Sequence, residues 1–200
     1  MRHIGTVATL GGVIGPAAFV SGWAVVGSNT PHFSSTREAI SQLARIGAPH
    51  RWLMTVAFFA FGLGLLAFAP LLARQLHAPL LRVAVSVAAL GALGVAAFPL
   101  GVQSGGIGDQ THVFWAVVGY VGTSGAPLVA GWTLRKSNPT LGAVSVAVGL
   151  LSAGALIGSG FSSIPGFWQR TGLGVVDLWF ITIAVWMLRQ RRPNAPVAGA

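Results

Sequence analysis

Read from the N-terminus, the chain alternates long apolar runs with short polar breaks. Uncharged stretches cover residues 4–27, 52–73, 83–102, 113–134 and 140–161, each close to the roughly 20 residues that cross a hydrocarbon core of about 30 Å as an α-helix. A sixth, residues 172–188, is shorter and carries Asp177. Pro165, behind Ser162 and Ser163, extends it backwards because proline suits a first helical turn, so the last span is read as 168–188. The pattern predicts an all-α, polytopic membrane protein: one integral domain over residues 1–200, a six-transmembrane-helix bundle ending in a cytoplasmic tail, 189–200. Met1-Arg2-His3 ahead of an apolar run has the look of a signal peptide. Its 24 uncharged residues exceed the usual 7 to 15 of an h-region, and the segment is read as a retained span.

The longest polar break, 28–51, contains Ser35-Thr36-Arg37-Glu38, a capping-box spacing in which hydroxyl and carboxylate satisfy free amides at a helix start. It predicts a short extracytoplasmic interfacial helix over 36–46, with Ile40, Leu43 and Ala44 on one face, Gly47 as its stop and Pro49 beyond. This helix either seals the mouth of the bundle or carries Ser41, Arg37, Arg45 and Glu38 to an outer pocket. The break at 103–111 is Gly-rich and ends in Asp109-Gln110-Thr111-His112.

Charge turns the pattern into a topology. Only 12 basic and 3 acidic residues occur in 200, with 54% hydrophobic residues and a mean hydropathy of +0.74. Soluble domains devote about a quarter of their residues to charge, so a soluble globular protein is excluded. The net charge of +9 does not mark a nucleic-acid binder, because the basic residues punctuate apolar runs instead of forming a face. Arg2, Arg74, Arg82, Arg135, Lys136, Arg189, Arg191 and Arg192 fall on one side of the membrane. Arg37, Arg45, Arg51 and Arg170 fall on the other. The positive-inside rule then places both termini in the cytoplasm of a bacterial cell, N-in and C-in across the cytoplasmic membrane.

The 28 glycines suit helices that approach closely in lipid. Gly11/Gly15 and Gly154/Gly158 have GxxxG spacing, and Gly119, Gly122 and Gly125 lie three apart; packing within one bundle and a homodimer seam are both consistent with these. With no cysteine, neither disulfides nor thiolate metal sites exist.

Candidate chemistry is sparse. Asp109 and His112, three apart, share a helix face, with Tyr120 deeper on it. They form either a carboxylate-oriented base or metal ligand, or a helix start in which Asp109 is the N-cap. Asp177 lies near the bilayer middle, where an unpartnered carboxylate is unfavourable by about 2.5 to 3.5 kcal/mol on insertion scales; Arg170, two turns earlier, is its expected ion-pair partner, with His112 or Tyr120 completing the link. His32, His50 and His112 share the outer side, and with a carboxylate they make a conceivable zinc set that no spacing demands. No other cofactor is expected.

Ala39-Ile40-Ser41-Gln42-Leu43, Gly47-Ala48-Pro49, Trp52-Leu53-Met54, Phe58-Phe59-Ala60-Phe61-Gly62, Phe98-Pro99, Asp109, His112 and Gln169-Arg170 ahead of Trp179 together resemble the bacterial and archaeal membrane proteins grouped as domain of unknown function 998. Where members often read Ile-Ser-Glu-Leu-Gly and Phe-Pro-x-Asp, this chain has Gln42, Ala44 and Gly101. The resemblance implies a six-helix bundle without an assigned activity. A more distant similarity is to the Frag1, DRAM and Sfk1 group of six-span proteins connected with lipid handling. Three functions are consistent with these readings. The first is a small accessory protein whose outward-opening polar pocket, organised by Arg45, Arg170, Asp177, Glu38 and Tyr120, binds membrane lipids or a larger membrane protein, or self-associates through Gly-rich faces. The second is a lipid hydrolase with His112 as base, Asp109 orienting it and Ser41 as nucleophile. The third is a proton-coupled transporter using Asp177.

Overall fold

Each apolar run becomes a helix, and local chemistry sets where each one stops. The computed structural model describes residues 2–101 and 105–190, with side chains from residue 5 onward. It contains α1 (Arg2–Ser28), α2 (Arg51–Gln75), α3 (Pro79–Ala97), α4 (Ile107–Leu134), α5 (Pro139–Ser159) and α6 (Pro165–Gln190). All six are long and apolar enough to cross a membrane, and no strand occurs among the described residues. The protein is an all-α, multi-pass membrane bundle. Gln103, Arg191 and Arg192, the remainder of the expected tail, and the side chains of Arg2 and His3 lie outside the described residues.

Two helix limits differ from the apolar pattern by more than a turn's worth of polarity. The third span was expected to reach residue 102, but α3 ends at Ala97, where Phe98 leaves the helical region at φ −118° and ψ 73°; the ring of Pro99 disfavours helical backbone at the residue before it. The fourth was expected to begin at residue 113. Instead, Gly105 at φ 95° turns the chain and α4 starts at Ile107, taking Asp109 and His112 into its first two turns. At α5 the expected start is sharpened by Asn138, whose side chain accepts from the Leu141 amide at 3.1 Å as an N-cap.

The predicted helix over 36–46 is replaced by two smaller pieces. Glu38 N–H donates to the Ser34 carbonyl at 2.8 Å, while Ser34 N–H donates to Glu38 Oε1 at 2.9 Å and Arg37 N–H to Ser34 Oγ at 3.3 Å. Ser34, not Ser35, is therefore the hydroxyl partner, and the turn closes on itself. After the extended residue Ala39, only Ile40–Ala44 forms a short 3-10 helix, hereafter the lid. The Ile40 amide is taken by a side chain of α6, and Gly47 at φ 90° reverses the chain. Ile40, Leu43 and Ala44 are buried on the face the sequence assigned to them.

Each helix packs on its neighbours in sequence and α6 closes the ring onto α1. The tight turns at 76–78 and 135–138 share one face with the end of α6, where Gln75 Nε2 donates to Gln190 Oε1 at 3.5 Å. The longer connections share the opposite, long-loop face, where the lid packs on α1, α2 and α6.

Glycine pairs set the closest approaches. Gly11 on α1 faces Gly64 on α2, so that a Cβ at Gly64 would lie 2.7 Å from the Gly11 carbonyl oxygen. Gly91 on α3 meets Gly119 on α4, and Gly122 meets the backbone of Ala88. Without side chains these backbones reach full dispersion contact. Gly154 and Gly158 have nothing within 4 Å of a built Cβ, so their GxxxG spacing is unused inside the bundle. Gly91→Leu is expected to destabilise the bundle by about 1–3 kcal/mol or more through overpacking, and Gly154→Leu to leave it unchanged; thermal unfolding of both variants in one detergent checks the contrast.

Candidate functional site

Beneath the lid, the ring of helices forms a partly open cavity of about 50 Å³. Its walls are chiefly apolar, with Phe19, Phe58 and Phe61 on one side and Gly91, Ala92 and Trp115 on the other; Ser41, His112, Tyr120, Thr123 and Gln169 supply its polar groups. The lining residues of the helices lie mostly in the halves nearest the long-loop face, with Ala88 at the middle of α3 and Thr123 just past the middle of α4.

His112 is the pivotal group. It is 3% exposed, and its Nδ1 sits 2.8 Å from the Phe98 carbonyl oxygen. A carbonyl only accepts, so the network assigns the proton to Nδ1 and leaves Nε2 as the acceptor of a neutral ring. Nε2 is buried and has no hydrogen-bond partner. The early end of α3 creates this arrangement, because the chain turning out at Phe98 and Pro99 presents a carbonyl that no helical amide claims.

Asp109 does different work from that expected of it. Its Oδ1 accepts from Gly101 N–H at 2.7 Å and its Oδ2 from Gly105 N–H at 2.9 Å. The oriented-base pair with His112 is not formed, and the orienting acceptor is the Phe98 carbonyl. Nor is Asp109 the N-cap, which is Gly106. From the third helical position it reaches back over the start of α4, as a capping-box carboxylate does, and ties down the α3–α4 loop.

The Arg170–Asp177 ion pair is likewise absent. Arg170 turns towards the lid, where its Nη1 donates to the carbonyls of Ser35 at 2.6 Å, Glu38 at 2.9 Å and Gly166 at 3.0 Å. Its guanidinium carbon lies 5.3 Å from the Trp23 ring centroid and 5.5 Å from that of Phe33, within cation–π range. Three carbonyls within reach outcompete a carboxylate two turns away. Both carboxylate oxygens of Asp177 are buried without a partner, twelve residues into α6. At 1.5 Å per residue this is roughly 18 Å from the helix start. Neither His112 nor Tyr120 reaches it.

The remaining candidates are divided in the same way. Arg45 Nε donates to the Gly101 carbonyl at 2.7 Å, and Ile46 N–H to Leu100 O at 2.9 Å, so Arg45 joins the two loops. Glu38 closes its own turn. Arg45, Glu38, Arg170 and Asp177 do not line the cavity, whereas Ser41, His112 and Tyr120 do. The sequence reading missed Gln169 as a site residue. Its Oε1 accepts from the Ile40 amide at 2.6 Å, and its Nε2 donates to the Tyr120 hydroxyl, bridging lid, α6 and α4. Its place beside Arg170, at the start of a span, was the one signal available. Among the described residues no three His, Asp or Glu side chains are grouped to hold a metal, so His32 and His50 do not join His112.

A family described as protein of unknown function (DUF998) matches residues 13–186. The chain belongs to that family. No curated protein and no solved structure matches it. The family match runs from α1 to near the end of α6 and so includes the lid, the cavity and the residues that clamp them.

The clamp has a measurable consequence. Arg170→Met removes the two Nη1 hydrogens shared among the carbonyls of Ser35, Glu38 and Gly166, charge-assisted bonds of a kind worth about 1.5–3 kcal/mol each. Hydrogen exchange of the amides of Arg37, Glu38 and Ile40 is expected to speed up by roughly 10- to 100-fold, with α3 amides unchanged; mass-spectrometric exchange mapping checks this.

Proposed function

We propose that this protein is a lipid-binding accessory protein of the bacterial cytoplasmic membrane, and that the cavity under the lid receives the small polar end of an amphiphile bearing a hydroxyl or amine. The observation that carries this reading is the unpartnered Nε2 of His112, a free acceptor in a chiefly apolar chamber. A buried acceptor left unpaired costs about 1–3 kcal/mol, and a ligand donor removes that cost. A volume of about 50 Å³, at roughly 10–15 Å³ per water, suits an end group of a few heavy atoms and not a whole lipid. Hydrolysis by Ser41 and His112 is less well supported, because Asp109 is engaged elsewhere.

Retention of lipid through purification tests the reading. Wild-type protein extracted in mild detergent is expected to carry a hydroxyl- or amine-bearing lipid in native mass spectrometry, and His112→Ala to lose it by roughly 10-fold. Equal retention by both proteins overturns the proposal. Chemical conversion of the bound lipid by wild type alone would favour the hydrolase instead.

In this reading the long-loop face is extracytoplasmic and both termini are cytoplasmic, in keeping with the eight basic residues that the sequence pattern assigns to the side of the termini against four on the other. The chain has no cysteine, which makes the orientation easy to check. Ser35→Cys in intact cells is expected to react with a membrane-impermeant maleimide; protection until the cells are lysed would reverse the orientation.

A further inference from the structure

The tight-turn face holds a second site, independent of the cavity. The α2–α3 turn carries Arg74 in the last turn of α2, His77 in a left-handed conformation at φ 52°, and Arg82 in the first turn of α3. These three side chains, with Pro70, Ala73 and Pro79, line a groove of about 510 Å³. It adjoins a second cleft of about 420 Å³, which shares His77 and Pro79 and continues over Leu128, Val129 and Trp132. A basic head is thus joined to an apolar flank at the ends of membrane-spanning helices.

The charge on this groove is uncompensated. Glu38, Asp109 and Asp177, the three acids of the chain, lie in the lid turn, at the long-loop start of α4 and in the middle of α6. Among the described residues the side chains of Arg74 and Arg82 have no hydrogen-bond or ion-pair partner. Arg74 is favoured by the dipole of α2, at whose C-terminal end it lies. Arg82 is not, because a cation in the first turn of α3 opposes the positive end of that helix. An anion placed between the two arginines relieves both the mutual repulsion and this dipole conflict. Leu80, Val83 and Trp132 around the groove are exposed, with the Arg135 guanidinium 3.6 Å from the Trp132 ring centroid.

We propose that this groove binds the phosphate of an anionic phospholipid, gripped by Arg74 and Arg82 with His77 beside it, while the glycerol and the first acyl carbons lie along Val129 and Trp132. The apolar continuation is what selects a lipid over a free anion, since inorganic phosphate has no use for the second cleft.

The test is native mass spectrometry of the full chain released from nanodiscs of equal phosphatidylglycerol and phosphatidylcholine. Wild type is expected to retain phosphatidylglycerol preferentially. In Arg74→Gln/Arg82→Gln the preference is expected to fall by roughly 30-fold, from two arginines near an anionic head group, with unchanged thermal stability as the folding control. Should that variant not fold, wild type decides: the preference drops as NaCl is raised if ionic contact drives it, and a salt-independent preference overturns the proposal. Equal retention of the two lipids, or an unaltered preference in a folded double variant, also overturns it. Displacement of the lipid by excess inorganic phosphate would make the groove a site for a free anion and sink the lipid assignment.

Discussion

Where loop backbone is buried at the mouth of a membrane bundle, its carbonyls and amides must be satisfied by the protein itself. Here that demand falls on a few side chains rooted in helices. One Arg170 nitrogen serves carbonyls of the lid turn and of α6, Asp109 takes two loop amides, and Gln169 holds the first amide of the lid. Position of the lid, burial of Ile40 and Leu43, and closure of the chamber below all depend on these bonds. Charged donors and acceptors are suited to the task because their hydrogen bonds are the strong ones.

The chamber itself results from unequal packing around the ring. Glycine pairs draw α1 onto α2 and α3 onto α4, whereas aromatic side chains from α1, α2 and α4 project inward under the lid. Close contact in one place and bulky walls in another leave a space that no side chain fills. His112 points its acceptor into surroundings that offer it no donor. On the opposite face the polarity is reversed: the arginines flanking the α2–α3 turn lack anions, as His112 lacks a donor. Asp177, a buried carboxylate in the middle of α6, is also unsatisfied, as are Nε and Nη2 of Arg170; insertion scales place the cost of such a carboxylate at about 2.5–3.5 kcal/mol.

Much of the architecture was legible in the residue pattern. Twenty-residue apolar runs, Pro165 at the start of α6 and a buried Ile40/Leu43/Ala44 face all correspond to structure, because they rest on local chemistry and on the bilayer's thickness. Trp179 is buried, and its Nε1 donates to Ser145 Oγ at 3.0 Å. The site was legible as a set of residues but not as a set of pairs. Asp109 and His112 do share a helix face, yet each found a backbone partner in the loops at 98–105. Ser34 displaced Ser35 as the hydroxyl partner because Glu38 folds back by four residues and not three.

What the sequence determined by itself was the number of spans, their approximate ends and the scarcity of charge within them, since an apolar run of fixed length has one stable way to satisfy its backbone in lipid. Only the tertiary structure decided which way the polar side chains turn. Helical periodicity places a residue on a face, but a long side chain such as Arg170 is free to point up or down that face. The choice went to acceptors brought close by a loop 132 to 135 residues away in the chain, a proximity that no local spacing encodes.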